Sequence, residues 1–353
     1  MANSSEFNPE LLLSHKYPQT TYTYTERDVV IYALGIGSCG GNAVDVNELK
    51  FVYHENGQQF VKVLPTFSAL FTLKLMPTGA LELPGLQYDP RLLLHGQHYI
   101  EIYKPLPSNA SIRNETILAG LHDKGKAAIA EMETRSYEKE SGELLCMNRM
   151  TAFLRGAGGF SKSSQPFSYS NYPANQVTAV KIPKTQPFAV LEDTTQPSQA
   201  CNFDFSIAGI EIALLYRLSG DYNPLHSDPM VAKVAGTILD FVLFTVGIIM
   251  LPVLYVNTVS LHFTYQRFSR PILHGLCTLG FAVRAIIKCI CRGDPDMVKN
   301  ISGRFLLHVY PDETLITEMW LDGLRVIYQV KVRERNRTVL SGFVDLHRLA
   351  SSL

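Results

Sequence analysis

The sequence predicts an α+β chain built from two similar halves, each opening on a short helical pattern and closing in an antiparallel strand meander. Three observations carry this. Residues 127–136 and 144–154 flank Ser141-Gly142 as the arms of one hairpin. Residues 315–321 and 325–333 flank Asp322-Gly323 as the arms of another, and Asp-Gly is a strong two-residue turn signal. Between them, residues 156–176 are rich in Gly, Ser, Pro and Asn and show no periodicity, so 156–182 reads as a linker between a first half, 1–155, and a second, 183–353.

Taken in order, the N-terminus Met1-Ala2-Asn3-Ser4-Ser5-Glu6 is polar and acidic and has no apolar signal core. Tyr32-Ala33-Leu34-Gly35-Ile36-Gly37 reads as a helix end. Gly35 to Gly40 fits G-x-G-x-x-G, but a helical pattern precedes it where a dinucleotide site needs a strand. Leu94-His95-Gly96 runs into Tyr99 to Tyr103, which alternates like a strand. In the second half, Tyr216-Arg217-Leu218-Ser219-Gly220-Asp221 echoes residues 32–37, with Asp221 where the first copy has Gly37. A helix is expected from Ser227-Asp228-Pro229, a capping residue and then proline at the first helical position. The best-specified helix places Leu276, Leu279, Val283, Ile286, Ile287 and Ile290 at three- and four-residue spacing. Pro271 precedes it, Lys288 and Arg292 occupy its last turn, and Gly293 caps it. In the final hairpin Val326, Tyr328, Val330 and Val332 should face a core, and Trp320 should pack there too.

Composition excludes several classes. The 32 basic and 32 acidic residues of this 353-residue chain form no block of like charge, which argues against a nucleic-acid partner. Six cysteines, at 39, 146, 201, 277, 289 and 291, show no zinc spacing and read as free thiols in a reducing compartment. The remaining histidines are scattered without metal-ligand spacing, so no metal is expected.

The chemistry concentrates in Gly220-Asp221-Tyr222-Asn223-Pro224-Leu225-His226 and in Arg270-Pro271-Ile272-Leu273-His274-Gly275. Asp221 and His226 are five residues apart with Pro224 between them, so they cannot share a helix face and must meet across a tight loop. There the carboxylate and the imidazole can grip one water, with Asn223 fixing their orientation. Gly275 opens the predicted helix, where backbone N–H groups lack internal partners and can bind a carbonyl oxygen as negative charge develops. Glycine lets that carbonyl come close. Such groups suit addition of water to a double bond conjugated with a carbonyl, and equally thioester hydrolysis. Taken singly, Asp221 or His226 would be an ordinary Asn-Pro turn residue; the whole string with the later Pro-x-x-His-Gly favours chemistry.

This string resembles the signature of the R-specific 2-enoyl-CoA hydratases (hydratase 2, the MaoC-like group). So do Leu92-Leu93-Leu94-His95-Gly96-Gln97, Lys104-Pro105-Leu106-Pro107, Leu121-His122-Asp123-Lys124-Gly125 and residues 153–160, which are similar to the eukaryotic double-hot-dog members, above all the peroxisomal single-function ones of plants. The resemblance implies a double hot-dog fold, two antiparallel sheets each wrapped around a central helix, with chemistry in the second half and room for a long acyl chain in the degenerate first. It implies that Asp221 and His226 activate water with Asn223 assisting, and that Gly275 N–H holds the thioester oxygen. His95, Gly96, Lys124 and Phe305 match acyl-CoA contacts, joined by Tyr222, Pro224 and Leu225 of the loop. The reaction implied is reversible hydration of trans-2-enoyl-CoA to (3R)-3-hydroxyacyl-CoA in peroxisomal β-oxidation, without metal or redox cofactor. A homodimer is expected. The ending Ser351-Ser352-Leu353 resembles the Ser-Lys-Leu address read by the peroxisomal import receptor, with serine in place of lysine.

Two segments, 201–213 and 237–267, depart from the family pattern. Joining Ala200 to Leu214 and Gly236 to Phe268 would restore a family-like chain, so both are expected to be additions by alternative splicing or gene-model error. Within the larger block, residues 238–256 are almost all apolar, with Asp240 and Pro252 as exceptions, and would form a helix roughly 28 Å long, enough to span a bilayer. Asp240 and the lack of a basic flank rank a buried helix or surface flap above a membrane span. Two alternatives to the hydratase are a hot-dog thioesterase and a non-catalytic acyl-CoA-binding or membrane-tethered form inactivated by this block.

Overall fold

In a computed structural model, the described residues are 7–75, 81–161, 167–170, 180–195, 216, 218–220, 223–226, 228, 231 and 271–350. Asp221, Tyr222, the tail 351–353 and both departing segments, 201–213 and 237–267, lie outside them. Among the described residues no helix is long and apolar enough to cross a membrane; the 238–256 stretch is not among them.

The helices are α1 (Pro9–Leu13), α2 (Glu26–Gly35), α3 (Val46–Leu49) and α4 (Gly275–Cys289). The first-half strands are β1 (Thr20–Tyr24), β2 (Leu93–Ile102), β3 (Ala110–Asp123), β4 (Ala127–Glu138) and β5 (Leu144–Arg155). Then come β6 (Phe167–Ser170), β7 (Ala189–Thr194), β8 (Val298–Phe305), β9 (Thr314–Asp322), β10 (Arg325–Val332) and β11 (Arg337–Leu346). Both predicted hairpins form, as β4–β5 and β9–β10. In the second the ladder closes at Asp322↔Arg325, so the two loop residues are Gly323 and Leu324 rather than Asp322 and Gly323. Gly323 has φ +59°, a value glycine adopts without strain. Val326, Tyr328, Val330 and Val332 are fully buried, as their alternation requires.

The sheets of the two halves join edge to edge, because β2 pairs antiparallel with β8 (His98↔Gly303, Ile100↔Ile301). One continuous sheet results, in the order β1-β3-β4-β5-β2-β8-β11-β10-β9-β7, with β6 added on β3. The linker expected over 156–182 therefore contains a strand. Phe167 and Tyr169, 4.7 Å apart at their ring centroids, give β6 enough strand character to pair with β3 between Gly120 and Asp123.

Helix α4 is the central helix of the second half, buried from Leu276 to Ile287. Gly293 ends it at φ +77°, its N–H donating to Ile287 O at 2.8 Å. The first half wraps instead around a 3-10 run, Pro65–Leu75. Such runs are rarely this long. Here Ser68 Oγ donates to Pro65 O and Thr72 Oγ1 to Ala69 O, each at 2.8 Å, while Phe67 and Phe71 pack on Tyr24 at 4.9 and 5.6 Å.

The echoing segments exchange partners. Gly37, at the end of α2, lies against Phe281 and Arg284 of α4, whereas Gly220 lies against Leu73 of the first-half 3-10 run. Tyr32 and Tyr216, equivalent in the echo, pack on each other at 5.9 Å. Arg284, 1% exposed, locks this exchange. Its Nε donates to Ile36 O at 2.8 Å, and its other nitrogens bind Glu48 of α3 and Asp193 of β7. Lys288, one turn later, reaches Asp45 at 2.8 Å. Removing one partner of a buried ion pair strands the other charges. Arg284→Ala is therefore expected to lower stability by about 3–5 kcal/mol, read as a fall in the urea midpoint.

Candidate active site

The chain approaches α4 through Pro271 to His274, all buried, with Leu273 N donating to Val309 O at 2.7 Å. His274 is the N-cap, extended at φ −59° and ψ 135°, so Gly275 is the first helical residue. The first intrahelical bond is donated by Thr278 N to His274 O at 3.2 Å. The N–H groups of Gly275, Leu276 and Cys277 lie ahead of that ladder, at the positive end of the helix dipole.

The Asn-Pro turn lies against this entry. Asn223 Oδ1 accepts from Leu225 N at 3.1 Å and Asn223 O accepts from His226 N at 3.2 Å, closing the short 3-10 turn Pro224–His226. The amide carbonyl of Asn223 thus shapes the loop backbone. Asp228 then accepts from Val231 N at 3.3 Å, as expected where Pro229 follows a capping residue. The His226 ring stacks on His274 with centroids 3.8 Å apart and planes 30° from parallel. His226 Nδ1 lies 2.8 Å from Ile272 O. A carbonyl oxygen only accepts, so in the neutral ring Nδ1 carries the proton and Nε2 the lone pair.

The first half supplies the opposite wall. The β2–β8 register sets Gln97 against Arg304, which brings His95 to Phe305, ring centroids 5.0 Å apart. A Cβ added at Gly275 would stand 3.2 Å from the Phe305 ring, so glycine keeps the first N–H of α4 from being crowded there. His226, His274, Gly275, Phe305 and His95 form one line of contacts across the junction of the halves. Gly96 is a bulge residue: His95 pairs with Ala152 and Gln97 with Thr151, and a side chain at 96 would run into Phe153. Lys124 is exposed in the β3–β4 turn, at the same end of the sheet as the bulge and with β5 between β4 and β2. Asp123 holds that turn by accepting from Gly125 N, Gly159 N and Ser161 N at 2.7–2.8 Å. Burial would raise its carboxyl, but these three bonds outweigh burial and hold it at about 2.

MFE-2 hydratase 2 N-terminal domain matches residues 22–156, and MaoC like domain matches residues 262–342, starting beyond the Asp-Asn-His turn and within the 237–267 block. The Arabidopsis thaliana protein "Enoyl-CoA hydratase 2, peroxisomal" is 64% identical over 354 residues, covering 100% of both chains. The chain belongs to the enoyl-CoA hydratase 2 family. A MaoC-like dehydratase from Phytophthora capsici superposes with a TM-score of 0.72 at 29% identity, over 98% of this chain and 100% of that one. A Mycobacterium tuberculosis protein described as having a double hotdog fold superposes at 0.50 with 13% identity, over 94% and 96% of the two chains, a likeness of fold alone. The α+β double hot-dog expectation holds.

The turn motif named Asn223, His226 and Gly275, which the fold gathers at the start of α4, but it did not single out two residues beside them. Ile272 O sets which nitrogen of His226 is basic, and His274 supplies the surface on which that ring lies. Their positions in Pro-Ile-Leu-His-Gly were the available signal. Reasoning from sequence also missed His98, buried behind His95 at 1% exposure. Burial pushes the His98 imidazole down to about 4, and His95 moves the same way, through burial first and then through His98. Both rings are neutral in the fold, whereas in the unfolded chain they take up protons near pH 6.5. Their contribution to stability is full above about pH 6.5 and falls as pH drops toward 4, by about 1.4 kcal/mol per unit for each proton. Urea midpoints measured from neutral pH to about pH 4.5 should fall less steeply for His98→Phe than for the native chain.

Proposed function

We infer that this chain hydrates trans-2-enoyl-CoA to (3R)-3-hydroxyacyl-CoA, reversibly, in peroxisomal β-oxidation. The observation that carries the reading is His226, its Nδ1–H engaged by Ile272 O at 2.8 Å and its ring stacked on the residue before Gly275. That arrangement leaves Nε2 as the basic atom beside a helix N-terminus. Water bound between His226 and Asp221 attacks C3 of the enoyl group. One of its protons passes to this pair as the C3–O bond forms. The electrons of the double bond move toward the thioester, whose oxygen becomes negative and is held by Gly275 N–H. The pair returns a proton to C2, so the elements of one water are added and no electrons are exchanged. Asn223 keeps the turn in register. His95, Gly96, Lys124, Phe305, Tyr222, Pro224 and Leu225 contact the acyl-CoA. No metal or redox cofactor enters this scheme.

The peroxisomal assignment is supported by the Arabidopsis thaliana relative, a peroxisomal enoyl-CoA hydratase 2 by name. We further propose import through Ser351-Ser352-Leu353, a homodimeric state, and that 201–213 and 237–267 are additions to the family chain. The test is an assay with crotonyl-CoA on the full chain beside a form lacking both segments. Loss of the conjugated absorbance without release of a thiol, giving the R product on a chiral column, supports hydration. Release of thiol would replace this reading with a thioesterase. Activity seen only after deletion would identify the full chain as a silenced form.

A further inference from the structure

His95 is the outer member of a hydrogen-bonded chain that the reaction above does not use. Its Nε2 lies 3.1 Å from Gln97 O and 3.2 Å from His98 Nδ1. His98 Nε2 lies 3.1 Å from Asn148 Oδ1, and Asn148 Nδ2 donates to Ser68 O at 3.1 Å. The bulge at Gly96 makes this chain. Regular alternation would send residues 95 and 98 to opposite faces of β2, and one extra residue brings them to the same face.

Both ends of the chain are backbone carbonyls, which only accept, and this fixes every proton along it. From the Ser68 end, Asn148 donates with Nδ2, so its Oδ1 faces His98 and His98 carries its proton on Nε2. His98 Nδ1 is then a lone pair and must receive His95 Nε2–H. From the other end, Gln97 O demands the same Nε2–H. The two ends agree. His95 is left with Nδ1 as an acceptor. Neutral His95 therefore cannot donate to the thioester oxygen, which stays with Gly275 N–H. The acyl-CoA does carry amide N–H groups in its arm, the nearer one two carbons from sulfur.

We infer that His98 and Asn148 are positioning residues, which hold His95 in the Nε2–H form so that Nδ1 accepts an amide N–H from the thioester arm of the substrate. The inference rests on the acyl-CoA reading of the site. Burial supports it by keeping both rings neutral. The test is calorimetric binding of butanoyl-pantetheine and of its analogue with CH2 in place of the N–H nearest sulfur. Both are saturated thioesters that cannot be hydrated, so the result is independent of whether hydration is observed. The native protein should prefer the amide ligand by about tenfold, the worth of one neutral hydrogen bond at the upper end. In His98→Phe and Asn148→Leu that preference should shrink by about threefold or more, while the analogue binds as before. Equal affinity of the native protein for the two ligands overturns the proposal whatever the variants do. So do variants that weaken both ligands alike, which marks a packing role only.

Discussion

Replacing His226 with glutamine is expected to lower kcat by about 10²–10⁴-fold while changing KM little. Glutamine can still donate an N–H to Ile272 O, the partner that His226 engages at 2.8 Å, so the turn should keep its place. What glutamine lacks is the second ring nitrogen, the lone pair that receives a water proton. The loss should therefore fall on turnover and spare the ground-state complex. Asp221→Asn should act in the same direction, and the double variant should lose little more than the worse single one, since two groups gripping one water work as a unit. Steady-state kinetics with crotonyl-CoA would check this, with thermal unfolding to confirm that the variants fold. An unchanged kcat in His226→Gln would remove the imidazole from the chemistry.

Gly275→Pro is expected to lower kcat by about 10²–10³-fold, the usual loss when one oxyanion donor is deleted. Proline is the most telling replacement because the first helical position tolerates it and loses only an N–H that has no intrahelical partner. The preceding residue already has the extended backbone proline requires, since His274 sits at φ −59° and ψ 135°. The proline ring would also press on Phe305, whose carbons stand 3.2 Å from a Cβ at this position. Gly275→Ala separates the two effects, for it adds the same Cβ and keeps the N–H. Alanine should act mainly on KM, proline mainly on kcat. If both variants lose turnover equally, crowding explains the loss and the backbone donor is not used.

Much of this was legible in the sequence because the governing signals are local. The alternation of Val326, Tyr328, Val330 and Val332 names a half-buried strand without knowledge of its neighbours, and the spacing from Leu276 to Ile290 names a buried helix face. The Asn-Pro turn was legible for the same reason, since Pro224 forbids a helix between Asp221 and His226. What escaped is long-range. Whether two sheets stay apart or join through β2 and β8 depends on edge pairing between residues some 200 apart, which leaves no local periodicity. The 3-10 run from Pro65 to Leu75 has the composition of a helix, and its packing against Tyr24 is a distant contact that no local pattern carries. His98 lies on the buried face with Ile100 and Ile102, but its link to His95 escaped because only the bulge at Gly96 brings residue 95 to that face.

The crossed packing around Arg284 bears on how this molecule could be taken apart. Residues 26–48 shelter a helix that belongs, by sequence order, to the other end of the polypeptide, and the favour is returned by Tyr216 and Gly220. A fragment carrying only the second half would thus leave one side of α4 uncovered and its guanidinium without Glu48, and should precipitate when made alone. Co-expressing the complementary N-terminal fragment should restore it, because each piece supplies the lining that its counterpart lacks.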